Sequence, residues 1–297
     1  MKMLGKDNKI FLLFPFIIYM IFFYFYGIFY GISTSFGYNT IGGISKFSLK
    51  NYFEIFNDNN LYTSILFTGR ISLISGIISL TLSVAIIYLI YLNLKRKILF
   101  PTFFQKIIEA PLFVPYLVAA YGILILFMQK GVLSTLLINL NIISKYQDFP
   151  ILTNDRFGTG IIITYVWKTI PFIVMMSLPV VRRIINKWEP LGYLYNMSDF
   201  KFFIKIILPL IFPTLIISFF IIFSYFIVAF ETPYLLGVTY PKSLSVYIYE
   251  LYSRGSLSNR GIIMGINLLI SIFTLFIGYL AFKILNSLTK YSEKGWN

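Results

Sequence analysis

Residues 189–213 read EPLGYLYNMSDFKFFIKIILPLIFP, a polar island between two long apolar runs that begins just after the basic pair Arg182-Arg183. A connection between two membrane spans needs only a few polar residues, yet this one carries helical periodicity on both sides of a break. Trp188, Leu191, Gly192 and Tyr195 fall at i, i+3, i+4 and i+7, so one side of a helix is apolar or small. Asn196 follows, and Asn ranks second to Gly at the left-handed position that ends a helix. Ser198 and Asp199 are good N-caps for a second helix, on which Phe200, Phe203, Ile204 and Ile207 repeat at helical spacing. Pro209 and Pro213 fall where that helix merges into the next apolar run. The spacing predicts helix, sharp turn, helix, with an apolar face presented outside the membrane. On the residues alone a second reading stands beside it, an amphipathic linker lying on lipid headgroups.

The flanking runs set the class. Of 297 residues, 58% are hydrophobic, 20% aromatic and 12% charged, against about 45–50% apolar and about 25% charged in soluble domains. Apolar runs of roughly 20 residues recur, enough to cross roughly 30 Å of hydrocarbon as helix. Six helical spans are expected, at about 10–33, 63–92, 110–128, 159–181, 206–230 and 261–285. The expected fold class is all-α integral membrane, with one polytopic domain over 1–297, its core at about 60–285 and the connecting loop at 186–209. The second span exceeds what a bilayer needs and should tilt or protrude. The first is too long for the apolar segment of a signal peptide and no small-residue cleavage site follows, so it is read as an uncleaved span.

The charges give orientation. The chain carries +14 and has neither Cys nor His, which removes thiol chemistry, disulfides and the commonest metal ligand. No metal site is expected. Fifteen basic residues sort to one side: Lys2, Lys6, Lys9, Lys95, Arg96, Lys97, Lys106, Arg182, Arg183, Lys187, Lys201, Lys205, Lys283, Lys290 and Lys294. Eight sort to the other: Lys46, Lys50, Lys130, Lys145, Arg156, Lys242, Arg254 and Arg260. The positive-inside rule places both termini and the 189–213 island in the cytoplasm. No basic, aromatic-interleaved soluble domain exists to bind nucleic acid.

The island resembles the coupling loop of binding-protein-dependent ABC importer permeases, which reads roughly Glu-Ala-Ala, three residues, Gly, nine residues, Ile-x-Leu-Pro. Ile206, Leu208 and Pro209 match its end, and Phe203 matches a common aromatic. Asn196 falls on the family Gly, with Met197-Ser198 at its usual Ala-Ser. Glu189 falls at the acidic start, while Pro190, Leu191 and Gly192 replace the rest of that cluster. Asn tolerates the same backbone as Gly, and Pro190 is compatible with the first turn of a helix. The likeness extends to FLLFPFIIYMIFFYFYGIFYGISTSF (11–36), FSLKNYFEIF (47–56), APLFVPYLVAAYGILILFMQKGVLSTLL (110–137), VWKTIPFIVMMSLP (166–179) and AFETPYLLGVTYPKSLSVYIYELY (229–252). The last piece is closer in look to spermidine/putrescine, thiamine or ferric-ion permeases than to sugar permeases.

Charged groups inside or beside the spans are candidates for a translocation path, because a charge in the bilayer faces protein or a wet route. Glu109, Lys168 and Glu231 are such groups, together with Pro115, Trp167, Pro171 and Phe230 around them. Pro171 frees a carbonyl near Lys168. The bland reading is local pairing or snorkelling at the interface, and it is favoured for Arg70 and Glu109 near span ends. The aromatic run Phe22 to Tyr26 is read as lipid-facing.

The resemblance implies a bacterial inner-membrane subunit of a type I ABC importer. Its partners would be a cytosolic ABC ATPase dimer, a second permease subunit, an extracytoplasmic solute-binding protein and the bilayer. This chain lacks a phosphate-binding Gly-x-x-x-x-Gly-Lys-Ser/Thr loop, so ATP and Mg belong to the ATPase and no cofactor is expected here. The solute is expected to be small and polar, with a polyamine-like or other small cation favoured and a sugar as the alternative. A membrane enzyme is disfavoured by eleven scattered acids and absent His. An ATP-independent channel or carrier stays open.

Overall fold

The structure is a computed structural model that describes residues 6–39, 44–95, 102–256 and 259–293. Four of the orienting charges, Lys2, Arg96, Lys97 and Lys294, lie outside the described residues. Helices dominate: α1 (Lys6–Ser35), α2 (Lys50–Phe56), α3 (Asn59–Lys95), α4 (Thr102–Phe113), α5 (Tyr116–Phe127), α6 (Val132–Asn139), α7 (Thr159–Leu194), α8 (Asp199–Phe202), α9 (Leu208–Val228), α10 (Glu231–Leu236), α11 (Leu244–Arg254) and α12 (Arg260–Glu293). The one strand pairing among the described residues is a two-residue ladder, Tyr38 with Ser45 and Asn39 with Ile44. Six helical stretches are long and apolar enough to cross a membrane: Leu13–Ser35, Asn59–Lys95, Tyr116–Asn139, Thr159–Leu194, Asp199–Val228 and Arg260–Ser287. The six expected spans are therefore present.

The edges differ from the sequence reading in two places. The third expected span, 110–128, is interrupted, because α4 ends at Phe113 and α5 begins at Tyr116. Pro115 has extended backbone and no amide to continue the helix (φ −56°, ψ 146°). The fourth runs past residue 181 to Leu194 as one 36-residue helix, so the first half of the island is its continuation. Pro190 sits inside that helix, not in a first turn as the sequence suggested.

The chain divides into two compact units. The first takes Met1–Asn59 and Ile248–Phe273. In it the Ser35 carbonyl accepts from Asn51 Nδ2 at 2.9 Å, the Ser35 and Tyr52 hydroxyls lie 2.8 Å apart, and the Phe36 ring packs on Phe47 and Tyr52. The side chains of the Phe22–Tyr26 run are exposed.

The second unit, Asn60–Tyr247 and Thr274–Asn297, holds the main core. Its axis is α7, whose most apolar window is 61% buried, against none in the α1 window. α3 carries a buried stripe of small residues, Ser72, Ser75, Gly76, Ser79 and Ser83, of which Gly76 lies against the Phe219 ring of α9. Small side chains let helix backbones approach closely in lipid. The Ser79 and Thr169 hydroxyls meet at 2.7 Å, and Ser83 donates to the Ile170 carbonyl at 3.3 Å. α4, α5 and α9 pack around the rest of α7, and α10 packs on α5.

Candidate functional site

Two places on α7 gather the residues singled out by sequence, its C-terminal elbow and its middle. The elbow is built on a two-bond turn. Asn196 adopts φ +49°, the left-handed conformation expected of it. Its N–H donates to the Tyr193 carbonyl at 3.0 Å and the Met197 N–H donates to the Gly192 carbonyl at 2.9 Å. These bonds satisfy carbonyls that any helix end leaves open and fix the exit angle of the chain. Ser198 then caps α8, its Oγ accepting from the Lys201 N–H at 3.4 Å. Gly192 lets the two arms cross closely, since a Cβ there would stand 2.7 Å from the Phe202 ring.

The second arm is more irregular than the periodicity implied. Phe203–Ile207 forms a π turn between α8 and α9. Pro209 explains its place: it offers no N–H to the carbonyl of Lys205 four residues back, and its ring crowds that carbonyl. The extra residue rotates the face. Phe203 and Ile207 turn inward with Phe202 and are nearly fully buried, while Phe200 and Ile204 stay exposed. The expected outward stripe of Phe200, Phe203, Ile204 and Ile207 is thus split between core and surface. What the elbow exposes is Leu191, Tyr193, Leu194, Tyr195, Phe200 and Ile204, with Leu194 and Tyr195 about four-fifths exposed at 80% and 78%. Of the other sequence candidates, Gly192 is buried, Glu189, Met197, Ile206 and Leu208 are half-buried, and Asn196, Ser198 and Pro209 are exposed. Glu189 accepts from the Tyr193 hydroxyl at 3.5 Å.

Sequence reasoning missed what grips the elbow from α3. Tyr91, fully buried, stacks on Phe202 with ring centroids 5.9 Å apart and an interplanar angle of 19°. Tyr88 meets Phe203 edge-on at 4.9 Å and Phe200 at 5.9 Å. Lys95 pairs with Asp199 and also sits 4.7 Å from the centroid of the Tyr193 ring. Residues a hundred positions apart in sequence carry no periodic signal of such contacts.

At the middle of α7, Lys168 is 5% exposed. Its ammonium donates to the carbonyls of Pro111 and Val114, and to that of Leu112 at 3.5 Å. This is the α4–α5 break. Pro115 has no N–H for the Pro111 carbonyl, which keeps only a long bond from the Val114 N–H at 3.4 Å, and Lys168 supplies a further donor. The sequence pointed to a carbonyl freed by Pro171; the carbonyls that Lys168 serves are those beside Pro115. An ammonium with three donors fits this place, because an unpaired buried cation is strongly disfavoured.

Around it stand aromatic rings from three helices. Lys168 Nζ lies 4.9 Å from the Tyr116 ring centroid. Tyr116 packs on Tyr225 at 4.8 Å and on Tyr165 at 6.3 Å, and Tyr165 stacks on Phe226 at 4.1 Å. Glu231, exposed in the first turn of α10, lies within electrostatic reach of Tyr116, Tyr165 and Tyr225. Its position also suits the positive end of that short helix. The structure thus brings Pro115, Lys168 and Glu231 to one neighbourhood with tyrosines the sequence reading did not choose. Phe230 is half-buried and stacks on Tyr234 at 4.9 Å. Pro171 is buried, Trp167 is exposed on the opposite side of α7 from Thr169, and Glu109 is half-buried in α4. Arg70 donates to the carbonyls of Arg156 and Phe157 at 2.9 and 3.1 Å, the local pairing expected of it.

No family model matches the sequence, and no curated protein matches it either. Solved structures do match in fold. A chain of a bacterial ABC transporter involved in the import of the acidic polysaccharide alginate superposes with a TM-score of 0.74 at 18% identity, covering 94% of this chain and 96% of that one. A chain of a bacterial alginate ABC transporter in complex with an alginate pentasaccharide-bound periplasmic protein gives 0.73 at 19% identity with the same coverage. The arrangement of the helices is therefore one found in ABC transporters.

Proposed function

We propose that the chain is a membrane-spanning subunit of an ATP-driven ABC importer in a bacterial cytoplasmic membrane. The observation that carries this reading is the elbow, an exposed apolar tip on a rigid turn within a fold shared with ABC transporter chains. Leu191, Leu194, Tyr195, Phe200 and Ile204 would enter a groove on a cytosolic ATPase dimer, which binds ATP and Mg. A large apolar tip in water marks an interaction surface. The Asn196 turn and the Gly192–Phe202 crossing keep the tip from folding back, so a push on it moves helices instead of bending a loop. With a second permease subunit, the chain would line the solute route, and an extracytoplasmic solute-binding protein would deliver the cargo. Both termini are cytoplasmic in this arrangement.

The cargo is a small polar solute, and two classes compete. A small cation is supported by the exposed carboxylate of Glu231, since the charge of Lys168 is taken up by carbonyls. A saccharide is supported by the tyrosines around Glu231 and by the alginate cargo of the two fold neighbours. The test has two stages. Gentle purification from native membranes should bring a cytosolic ATPase with the chain, and activity of the isolated chain alone would contradict the reading. Thermal-shift measurements on the partner binding protein against polyamines and oligosaccharides then choose the cargo.

A further inference from the structure

The two arms of the elbow belong to α7 and α9, so force applied at the tip would be expected to travel along those two helices. The contacts place a third element in the line. Lys95, the last described residue of α3, touches both arms at once: it pairs with Asp199 at the start of α8 and lies over the Tyr193 ring at the end of α7. One turn back, Tyr91 is buried against Phe202 and Phe203, and the half-buried Tyr88 meets the rings of Phe203 and the exposed Phe200. α3 is 37 residues long, about 55 Å at 1.5 Å per residue. It is fixed again near its other end, where the Thr68 hydroxyl accepts from the Leu244 N–H at 2.8 Å and Arg70 holds the carbonyls just before α7. Between these ends it is tied to α7 through Ser79 and Ser83.

We infer that α3 is the element through which movement of the elbow reaches the opposite face of the membrane, with Lys95 as the positioning residue that locks it to the elbow. The inference rests on the importer reading above and adds to it a specific route. The ion pair is partly shielded, with side-chain exposures of 16% and 30%, so it is held more firmly than a surface pair. Lys95 ties both arms to α3 directly beside the turn that joins them. Without it, the aromatic stack still holds the second arm to α3, but the first arm loses its tie at Tyr193 and the two arms can move apart at the tip.

The test uses the whole transporter in proteoliposomes, with Lys95→Ala, Lys95→Arg and the double Lys95→Ala, Asp199→Ala. The readouts are ATPase content of the purified complex and solute moved per ATP hydrolysed. The expected result is normal ATPase content with about a tenfold lower transport-to-hydrolysis ratio for Lys95→Ala, the range of a typical coupling energy. Lys95→Arg should restore most of the ratio, and the double variant should be no worse than the single one. If the unsubstituted chain carries no ATPase, the importer reading itself fails. If ATPase is present and the ratio is unchanged in Lys95→Ala, the importer reading survives and the α3 route is wrong. Loss of the ATPase from Lys95→Ala also overturns the inference, because Lys95 would then anchor the partner instead of transmitting movement.

Discussion

The middle and the end of α7 present opposite problems. At the middle, a lysine lies where the surroundings are apolar, and the chain answers from within by aiming the carbonyls of a broken helix at it. At the end, Leu194 and Tyr195 stand in the open, about four-fifths exposed. A misplaced polar group must be satisfied internally, since nothing in hydrocarbon will do it. A misplaced apolar surface can be left for a partner. The first region therefore reads as stability and the second as assembly, although both were singled out in the sequence for the same reason, residues of the wrong polarity for their place.

That contrast is broken most forcefully at Lys168. Lys168→Met should remove the ammonium from the carbonyls of Pro111 and Val114, leaving Pro111 only the long bond from the Val114 N–H at 3.4 Å, and destabilise the chain by about 3 kcal/mol, each under-satisfied buried group contributing about 1–3 kcal/mol. Thermal unfolding in detergent would show the loss, with transport falling in parallel. A variant that keeps its melting temperature yet loses transport would make Lys168 a path residue and erase the distinction.

Gly192→Ala tests the elbow's internal packing. The new Cβ would press on the Phe202 ring, and overpacking of this kind costs about 1–3 kcal/mol. Adding Phe202→Leu should recover part of it, because the ring is what the methyl meets. If Gly192→Ala melts normally, the arms do not cross as tightly as the structure has them.

Asn196 comes next. Asn196→Val places a β-branched residue at positive φ and should cost about 1–2 kcal/mol, uncoupling transport more than it reduces membrane insertion. Asn196→Gly should be neutral or slightly stabilising, because glycine takes that backbone freely. Equal transport by the valine variant would mean that the turn is not a rigid part of the drive.

These three sites also show what can be read from sequence. The left-handed Asn196, the cap at Ser198 and the six spans were legible because each depends on local chemistry, on one side chain or on a run of them. The break at Pro115 was half legible: the prolines were visible, but the lysine that serves their carbonyls lies more than fifty residues away. The inward turn of Phe203 and Ile207 was hidden because helical spacing assumes a uniform helix, and the π turn before Pro209 adds a residue. The Tyr88, Tyr91 and Lys95 contacts were invisible for a simpler reason: each is a meeting of distant segments.

The smallest effect on folding is expected at the tip, and it gives the most direct test. Leu194→Ser with Tyr195→Ser removes two largely exposed side chains, so stability should change by less than about 0.5 kcal/mol. Co-purification of a cytosolic ATPase should nevertheless be lost, because the tip is its proposed seat. A double variant that melts as before and still retains the ATPase in full would contradict the assignment of this surface as the docking site.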